Sequence, residues 1–357
     1  MNKRIEQVRR EMEKEGLDGV LIESRPNTFY YTGFTGSTSK CLVTKESATL
    51  VVDFRYTAQA RQQVYSGVEA VEFVKGAAET LHQLCVQYGV KRLGIEEERI
   101  TLAQYHLLQE KLEQVTSFEN FQSSLNRVRW IKDQDELQRI QKAVDIADKA
   151  FEDILSYIKP GVREVEIALE MEYRMKKLGA QGVSFETIIA SGPRSALPHG
   201  VAGMRKLQKG DAIVMDFGAI YQGYCSDMTR TVFLGEPPQK LKEIYDIVLR
   251  AQMEALKKAV VDMKGSELDK VSRDIICAAG YEKCFGHSLG HGVGIEVHEM
   301  PSVSPKGEDP LREGMVFSVE PGIYVEDLGG VRIEDLVYMG DCGVEILTKS
   351  TKDRIVL

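Results

Sequence analysis

The sequence predicts a two-domain chain, an α/β domain of about 125 residues followed by a larger α+β domain that repeats one pattern twice. Three observations carry that reading. Short apolar strands alternate with helices as far as Leu112. From Asp133 onward, long helical periodicities take over. Within that second region, two helices are each time followed by a hairpin-like segment with paired carboxylates, first Asp216 and Asp227, then Glu320 and Glu334. The echo points to pseudo-duplication around one central site.

Ile5, Val8, Met12 and Leu17 predict a first amphipathic helix, stopped near Gly16. Residues 19–23 read as a short apolar strand and residues 30–37 as a loop. Residues 41–53 read as two strands joined by Lys45-Glu46-Ser47. Helices are expected over 55–65, 80–88 and 101–112, with strands at 68–74 and 92–96 between them. His82 and His106 fall in these helical patterns with no partner at ligand spacing, so both read as structural. The boundary is placed within the connecting stretch 125–132, giving domains 1–126 and 127–357.

Asp133, with Glu136 three residues on, forms a capping-box pattern. Leu137, Ile140, Val144, Ala147, Phe151, Ile154 and Ile158 then line one face of a long helix, ended by Lys159-Pro160-Gly161. A second helix is expected over 163–178, then a strand over 185–190 and a loop over 191–200. After Pro237-Pro238 the residues Leu241, Ile244, Val248, Ala251, Ala255 and Ala259 mark another long helix. Ser266 and Asp269 are expected to cap a further helix that ends at Gly280. Residues 316–320, a turn around Asp327, and residues 331–338 complete the strand pattern.

Bulk composition excludes several classes. The 357 residues are 43% hydrophobic and 28% charged, ordinary for a globular chain. A net charge of -8 gives no electrostatic reason to bind nucleic acid or an anionic membrane. The charged first residues contain no apolar run of signal-peptide length, and no later stretch reaches the roughly 18 apolar residues of a membrane span. The six cysteines are scattered without a Cys-x-x-Cys pair. A cytoplasmic chain with reduced thiols is expected.

The stretch 216–227, DFGAIYQGYCSD, reads as a β-hairpin: Ile213, Met215 and Phe217 alternate before the turn, and Tyr224, Ser226 and Met228 after it. A two-residue loop at Tyr221-Gln222 places Asp216 directly opposite Asp227, with Cβ atoms roughly 5 Å apart on one face. Two carboxylates so close repel, and one is pushed to protonate unless a cation joins them. The hairpin is therefore expected to hold metal.

Histidines gather downstream: His199, His287, His291 and His298 all lie in the second region. Gly290, Gly292 and Gly294 argue against a helix there, and a loop bending closely around a ligand is expected. Glu320 ends a strand, and Arg332 and Glu334 share one face of the last strand region, with Val331, Ile333 and Asp335 facing the other way. Acidic residues in strands that otherwise look buried need compensating charge. Two divalent cations bring +4 against -4 from Asp216, Asp227, Glu320 and Glu334, and His291 adds one imidazole. Such an oxygen-rich set suits manganese, cobalt or iron better than a thiolate zinc site.

The motifs Asp216-x-Gly with Tyr-x-Gly-Tyr-Cys-Ser-Asp227-Met-Thr-Arg-Thr, Gly286-His-Ser-x-Gly-His291-Gly, Glu320-Pro-Gly-Ile-Tyr and Gly330-Val-Arg-Ile-Glu334-Asp resemble the Xaa-Pro aminopeptidase and prolidase family of dinuclear metallopeptidases. The resemblance covers essentially the whole chain. It implies a creatinase-like N-terminal domain and a C-terminal catalytic domain of the pita-bread fold. It implies that Asp216 chelates one metal, that Asp227 and Glu334 bridge two, and that His291 and Glu320 hold the other. It also implies that His199, His287 and His298 line the substrate site, with Arg332 beside it. Two divalent cations are expected, manganese first, with cobalt or zinc as alternatives. A homodimer is implied by the resemblance alone.

The activity implied is hydrolysis of an Xaa-Pro bond at the N-terminus of short proline-containing peptides, through a hydroxide shared by two metals. His298 is expected to donate to the oxyanion, and Glu320 to carry a proton from the attacking water to the proline nitrogen. His199 and His287 are expected to position the substrate. An aminopeptidase acting on longer peptides is the first reading, because no insertion that would block them is visible. An Xaa-Pro dipeptidase is its alternative. A catalytically inactive peptide-binding protein of the same fold is a reading from a different class, disfavoured by the complete ligand set.

Overall fold

The computed structural model describes residues 2–357. The chain divides into two compact units, Met1–Arg129 and Trp130–Leu357. The expected boundary at 126/127 lies inside a helix, Gln122–Trp130, that the sequence reading did not separate from its linker.

The first unit is built on a six-stranded sheet. Its spatial order is Glu69–Glu72, Ala48–Val52, Lys40–Thr44, Gly19–Ile22, Arg92–Ile95 and Ser117–Asn120. The two central pairings, around Lys40–Thr44, are antiparallel, and the outer three are parallel. Helices connect the parallel strands, as such crossovers require. The first helix, Lys3–Glu15, buries Ile5, Val8 and Met12 and stops at Gly16, whose φ of 67° is the left-handed cap. Residues 30–32 are not loop but the last turn of a helix, Arg25–Thr32. Ser24 caps it, a proline occupies its first turn, and Gly33 at φ 81° ends it. Those three local signals outweigh the β-favouring Tyr-Tyr-Thr run.

The second unit has two halves. In the first, helices Gln134–Ile154 and Glu164–Lys177 pack Ile146, Phe151, Ile167 and Met171 against Ile189, Ile213, Met215 and Met228 of a four-stranded sheet. The Asp133–Glu136 capping box forms as expected, with both hydrogen bonds made. In the second half, helices Gln239–Lys258 and Gly265–Ala278 pack Ile244, Val248, Leu268 and Ile276 against Phe317, Val319, Val331 and Val337. Here the cap is Lys264, with Glu267 bonding back to its backbone; Ser266 already lies inside the helix. Asp269 is buried and paired with Arg273 at 2.7 Å rather than capping.

The Asp216 hairpin forms with a different register. Its two-residue loop is Gln222-Gly223, with φ of 46° and 82°, the positive pair that a tight hairpin needs. Tyr221 therefore pairs with Tyr224, and Asp216 with Thr229 rather than with Asp227. The expected loop was one residue too early, because Gln222 carries the positive φ that sequence reading reserves for Gly or Asn. The partner of Asp216 moves by two residues, which keeps Asp227 on the same face as Thr229. The two carboxylates become diagonal neighbours, still within reach of one another.

Candidate metal centre

Asp216 stands near the end of the strand Ala212–Phe217. Asp227 follows Tyr224–Cys225 and precedes the strand Met228–Phe233. Gly218 makes room for this bend, since a Cβ there would lie 2.0 Å from the Ser226 carbonyl oxygen. Glu334 falls between the strands Gly329–Arg332 and Asp335–Gly340. One carboxylate oxygen from each of Asp216, Asp227 and Glu334 lies within 4.8 Å of the others.

His291 arrives on a short strand, Gly290–Gly292, where a loop was expected. The glycines serve close backbone approach to protein rather than a bend around a ligand. A Cβ on Gly290 would sit 1.9 Å from the Ser318 carbonyl oxygen, and one on Gly292 would sit 2.1 Å from that of Met300. His291 Nδ1 lies 3.1 Å from the Gly292 carbonyl oxygen, to which it donates, so Nε2 faces the acids. That Nε2 is 3.3 Å from Glu320 and 3.6 Å from Asp227. Glu320 sits one residue beyond the strand Val316–Val319 and accepts from Ser318 Oγ at 3.0 Å.

The electrostatics are those of an acid cluster that Arg332 and His291 compensate only in part. Burial pushes Asp227 well above the usual carboxylate range, and the charges of Glu334, Asp216 and Glu320 push it further. Burial, with Glu320 and Asp216 beside it, likewise raises Glu334. Asp216 is raised by burial, against the pull of Arg332. Burial works to raise Glu320 too, but the hydrogen bond and charge of His291 hold it at about 2. Asp216 Oδ1 and Glu334 Oε1 are sealed from solvent with no hydrogen-bond partner. Buried oxygens of this kind cost stability unless something positive meets them. Three converging carboxylates, two orphaned oxygens and an imidazole nitrogen held in the ligating tautomer fit a divalent cation.

Arg332, only 3% exposed, organises the surroundings. It donates from Nη2 to Asp216 at 2.6 Å, from Nε to Thr229 Oγ1 at 3.0 Å, and from Nη1 to Tyr324 Oη at 2.8 Å. Thr229 passes its own hydrogen to Glu334 Oε2 at 2.7 Å. Tyr324 accepts from an arginine, which only donates, so its hydrogen goes to His287 Nε2 at 2.9 Å. His287 must then carry its proton on Nδ1, which faces the Ser288 carbonyl oxygen at 2.8 Å. Burial keeps the Tyr324 phenol protonated, pushing it up to about 12, and holds the His287 imidazole below its ordinary value. Sequence reading gave Thr229 and Tyr324 no role. Thr229 was findable, two residues from Asp227 on the same strand face. Tyr324 ends the quoted Glu320-Pro-Gly-Ile-Tyr motif, but its role was not findable, because the His287 it meets lies 37 residues away in sequence.

The cluster opens into a cleft of about 560 Å³. Its lining includes all nine residues singled out from the sequence: Asp216, Asp227, His291, Glu320 and Glu334, with His199, His287, His298 and Arg332. His199 and His298 are exposed, and the His298 ring lies edge-on to His291 with centroids 4.3 Å apart. Phe185, Ile188 and Val201 give one wall an apolar character. His82 and His106 lie in helices of the first unit. All six cysteines are free thiols. Among the described residues no helix is long and apolar enough to cross a membrane.

Known proteins resemble the chain along nearly its whole length. Residues 138–341 match Metallopeptidase family M24, and residues 4–131 match the Creatinase/Prolidase N-terminal domain. The chain is 42% identical to an Xaa-Pro dipeptidase of Pyrococcus horikoshii, covering 99% of each. A solved Xaa-Pro dipeptidase from Bacillus anthracis superposes with a TM-score of 0.97 at 41% identity, over 99% of each chain. A solved X-Pro aminopeptidase from Thermotoga maritima superposes with a TM-score of 0.90 at 41% identity, over 97% of this chain and 100% of that one. The chain belongs to metallopeptidase family M24, with a creatinase/prolidase N-terminal domain ahead of its catalytic domain.

Proposed function

We propose that this protein is an Xaa-Pro dipeptidase, a prolidase, that uses two divalent cations, manganese before cobalt or zinc. The observation that carries the reading is the convergence of Asp216, Asp227 and Glu334 oxygens within 4.8 Å, two of these residues with an orphaned buried oxygen. The Pyrococcus horikoshii and Bacillus anthracis relatives, both named Xaa-Pro dipeptidase, favour this reading over the aminopeptidase that the sequence alone suggested. The Thermotoga maritima neighbour, named X-Pro aminopeptidase, keeps that second reading in play.

In this reading Asp216, Asp227, Glu334, His291 and Glu320 hold the cations. When bound, such cations make water nucleophilic near neutral pH and polarise the scissile carbonyl. The remaining work belongs to side chains. Arg332 fixes Asp216 at Oδ2 and Thr229 fixes Glu334 at Oε2, leaving Oδ1 and Oε1 for the cations. His298, beside His291, offers an N–H to the oxyanion that develops on the carbonyl. Glu320 takes a proton from water and passes it to the departing proline nitrogen. His199 and His287 receive the proline side of the substrate. A cytoplasmic homodimer acting on short proline-containing peptides completes the reading.

A panel of Xaa-Pro dipeptides and Xaa-Pro-Yaa tripeptides, run with manganese, cobalt and zinc, tests it. Hydrolysis of the dipeptides is expected. Cleavage of tripeptides with dipeptides left intact would return the reading to an aminopeptidase.

A further inference from the structure

Behind the acid cluster, one buried guanidinium stitches the C-terminal segment to the strands that carry it. Arg230 is 2% exposed, and its guanidinium reaches the C-terminal carbonyls of Ser350 and Thr351, on the opposite side of its strand from the neighbouring Thr229 side chain. All five of its N–H groups are used, the full complement of the side chain. Nε donates to the Thr351 carbonyl oxygen at 3.1 Å, and Nη2 to the Ser350 carbonyl oxygen and to Asp335 Oδ1, each at 2.8 Å. Nη1 donates to the carbonyl oxygens of Thr229, at 2.9 Å, and Glu334.

Asp335 is just as fully engaged. It accepts from Thr348 Oγ1 at 2.7 Å, Gln252 Nε2 at 2.8 Å and Lys352 Nζ at 2.5 Å. The peptide groups held from behind are therefore those of Thr229 and Glu334. The side chains of these two residues meet in front, Thr229 Oγ1 donating to Glu334 Oε2 at 2.7 Å. Adjacent residues face opposite ways along each segment, so one backbone carries both the network and the acid cluster.

We propose that Arg230, Asp335 and Lys352 are positioning residues through which the C-terminal segment, 348–352, fixes Thr229 and Glu334 and thereby sets metal affinity. This rests on reading the acid cluster as a metal centre. A network that only held the fold together would change stability. This one also sets the direction of a ligand carboxylate, as outer partners of metal ligands do.

The test is calorimetric titration of Mn²⁺ into chelator-stripped protein, alongside its thermal melting and its kcat and KM for an Xaa-Pro dipeptide at limiting and saturating Mn²⁺. Lys352→Met removes one arm at the outer end of the network, where the side chain is 18% exposed, and touches none of the proposed ligands. It is expected to weaken Mn²⁺ binding by about 10-fold, the low end for groups that orient metal ligands because it acts through Asp335 and Arg230, with KM unchanged and kcat recovering as Mn²⁺ is raised. Lys352→Arg is expected to restore most of the affinity. Arg230→Lys is expected to lose more; if it does not fold, Lys352→Met decides the matter alone. Unchanged Mn²⁺ affinity in folded Lys352→Met overturns the proposal, whatever happens to its melting temperature. A wild-type protein that neither binds Mn²⁺ nor hydrolyses the dipeptide overturns the metal-centre reading itself. Wild-type binding and activity beside an unaffected Lys352→Met overturns only the positioning role.

Discussion

Arg332 Nη2 lies 2.6 Å from Asp216 Oδ2, and the same guanidinium reaches Thr229, Tyr324 and the Pro198 carbonyl oxygen. Lysine offers one compact charge in place of this planar fork and cannot serve those acceptors together. Arg332→Lys is expected to leave the fold in place and to weaken metal binding about 10- to 100-fold, the usual cost of losing a partner that orients a ligand. Calorimetric titration with Mn²⁺ checks it. Wild-type affinity in the variant would show that Asp216 needs no such support.

Tyr324→Phe removes the hydroxyl that joins Arg332 to His287. A hydrogen bond contributes about 1 kcal/mol net, more where it comes from a charged group such as the Arg332 guanidinium, and an orphaned partner adds to the loss. The expected result is a fall in kcat/KM of roughly tenfold with metal affinity intact, because Tyr324 touches no proposed ligand. Steady-state kinetics on an Xaa-Pro dipeptide at saturating metal measures this. A parallel loss of metal would mean that the tyrosine acts through Asp216 rather than through His287.

The acid cluster predicts an unusual pH response in metal-free protein. Burial and the surrounding carboxylates raise Asp227 and Glu334 well above their ordinary values. A carboxyl whose folded pKa exceeds its unfolded value, about 4, contributes stability below that point and loses it as pH rises through the folded value. Asp227→Asn removes one such group. Its melting temperature, relative to wild type in the presence of chelator, is expected to rise more at pH 8 than at pH 5. Added Mn²⁺ should abolish the advantage by stabilising wild type alone. An Asn variant with no greater advantage at pH 8 would contradict this account of the cluster.

Gly290 is confined by the Ser318 carbonyl oxygen, which stands 1.9 Å from where a Cβ would be. Backbone cannot move aside cheaply. Gly290→Ala is expected to destabilise the protein by about 1–3 kcal/mol, the range for overpacking, and to displace His291. Urea denaturation checks the first effect. An unchanged midpoint would mean that the two strands separate easily.

Much of the fold was legible because its signals are local. The face from Leu137 to Ile154, the Asp133–Glu136 cap and the Gly16 stop each depend on neighbours in sequence, although the helix tightens into a 3-10 turn at Leu155–Tyr157 and does not carry Ile158 as expected. The site residues were legible because acids inside apolar strands conflict with their surroundings unless charge is supplied. The register was not legible. It turned on Gln222 accepting a positive φ, which its residue type does not advertise. The His291 strand was misread as loop, because its glycines answer to carbonyl groups of Met300 and Ser318, distant in sequence. Tyr324 and Arg230 stand inside the quoted motifs, but their roles were missed for the same reason: their partners lie far along the chain, and no local pattern announces those contacts.

The most direct test is anomalous diffraction from crystals of the active protein grown with Mn²⁺. Two manganese peaks are expected among Asp216, Asp227, His291, Glu320 and Glu334. A map that shows no manganese at these side chains, from protein that hydrolyses an Xaa-Pro dipeptide, would contradict the account.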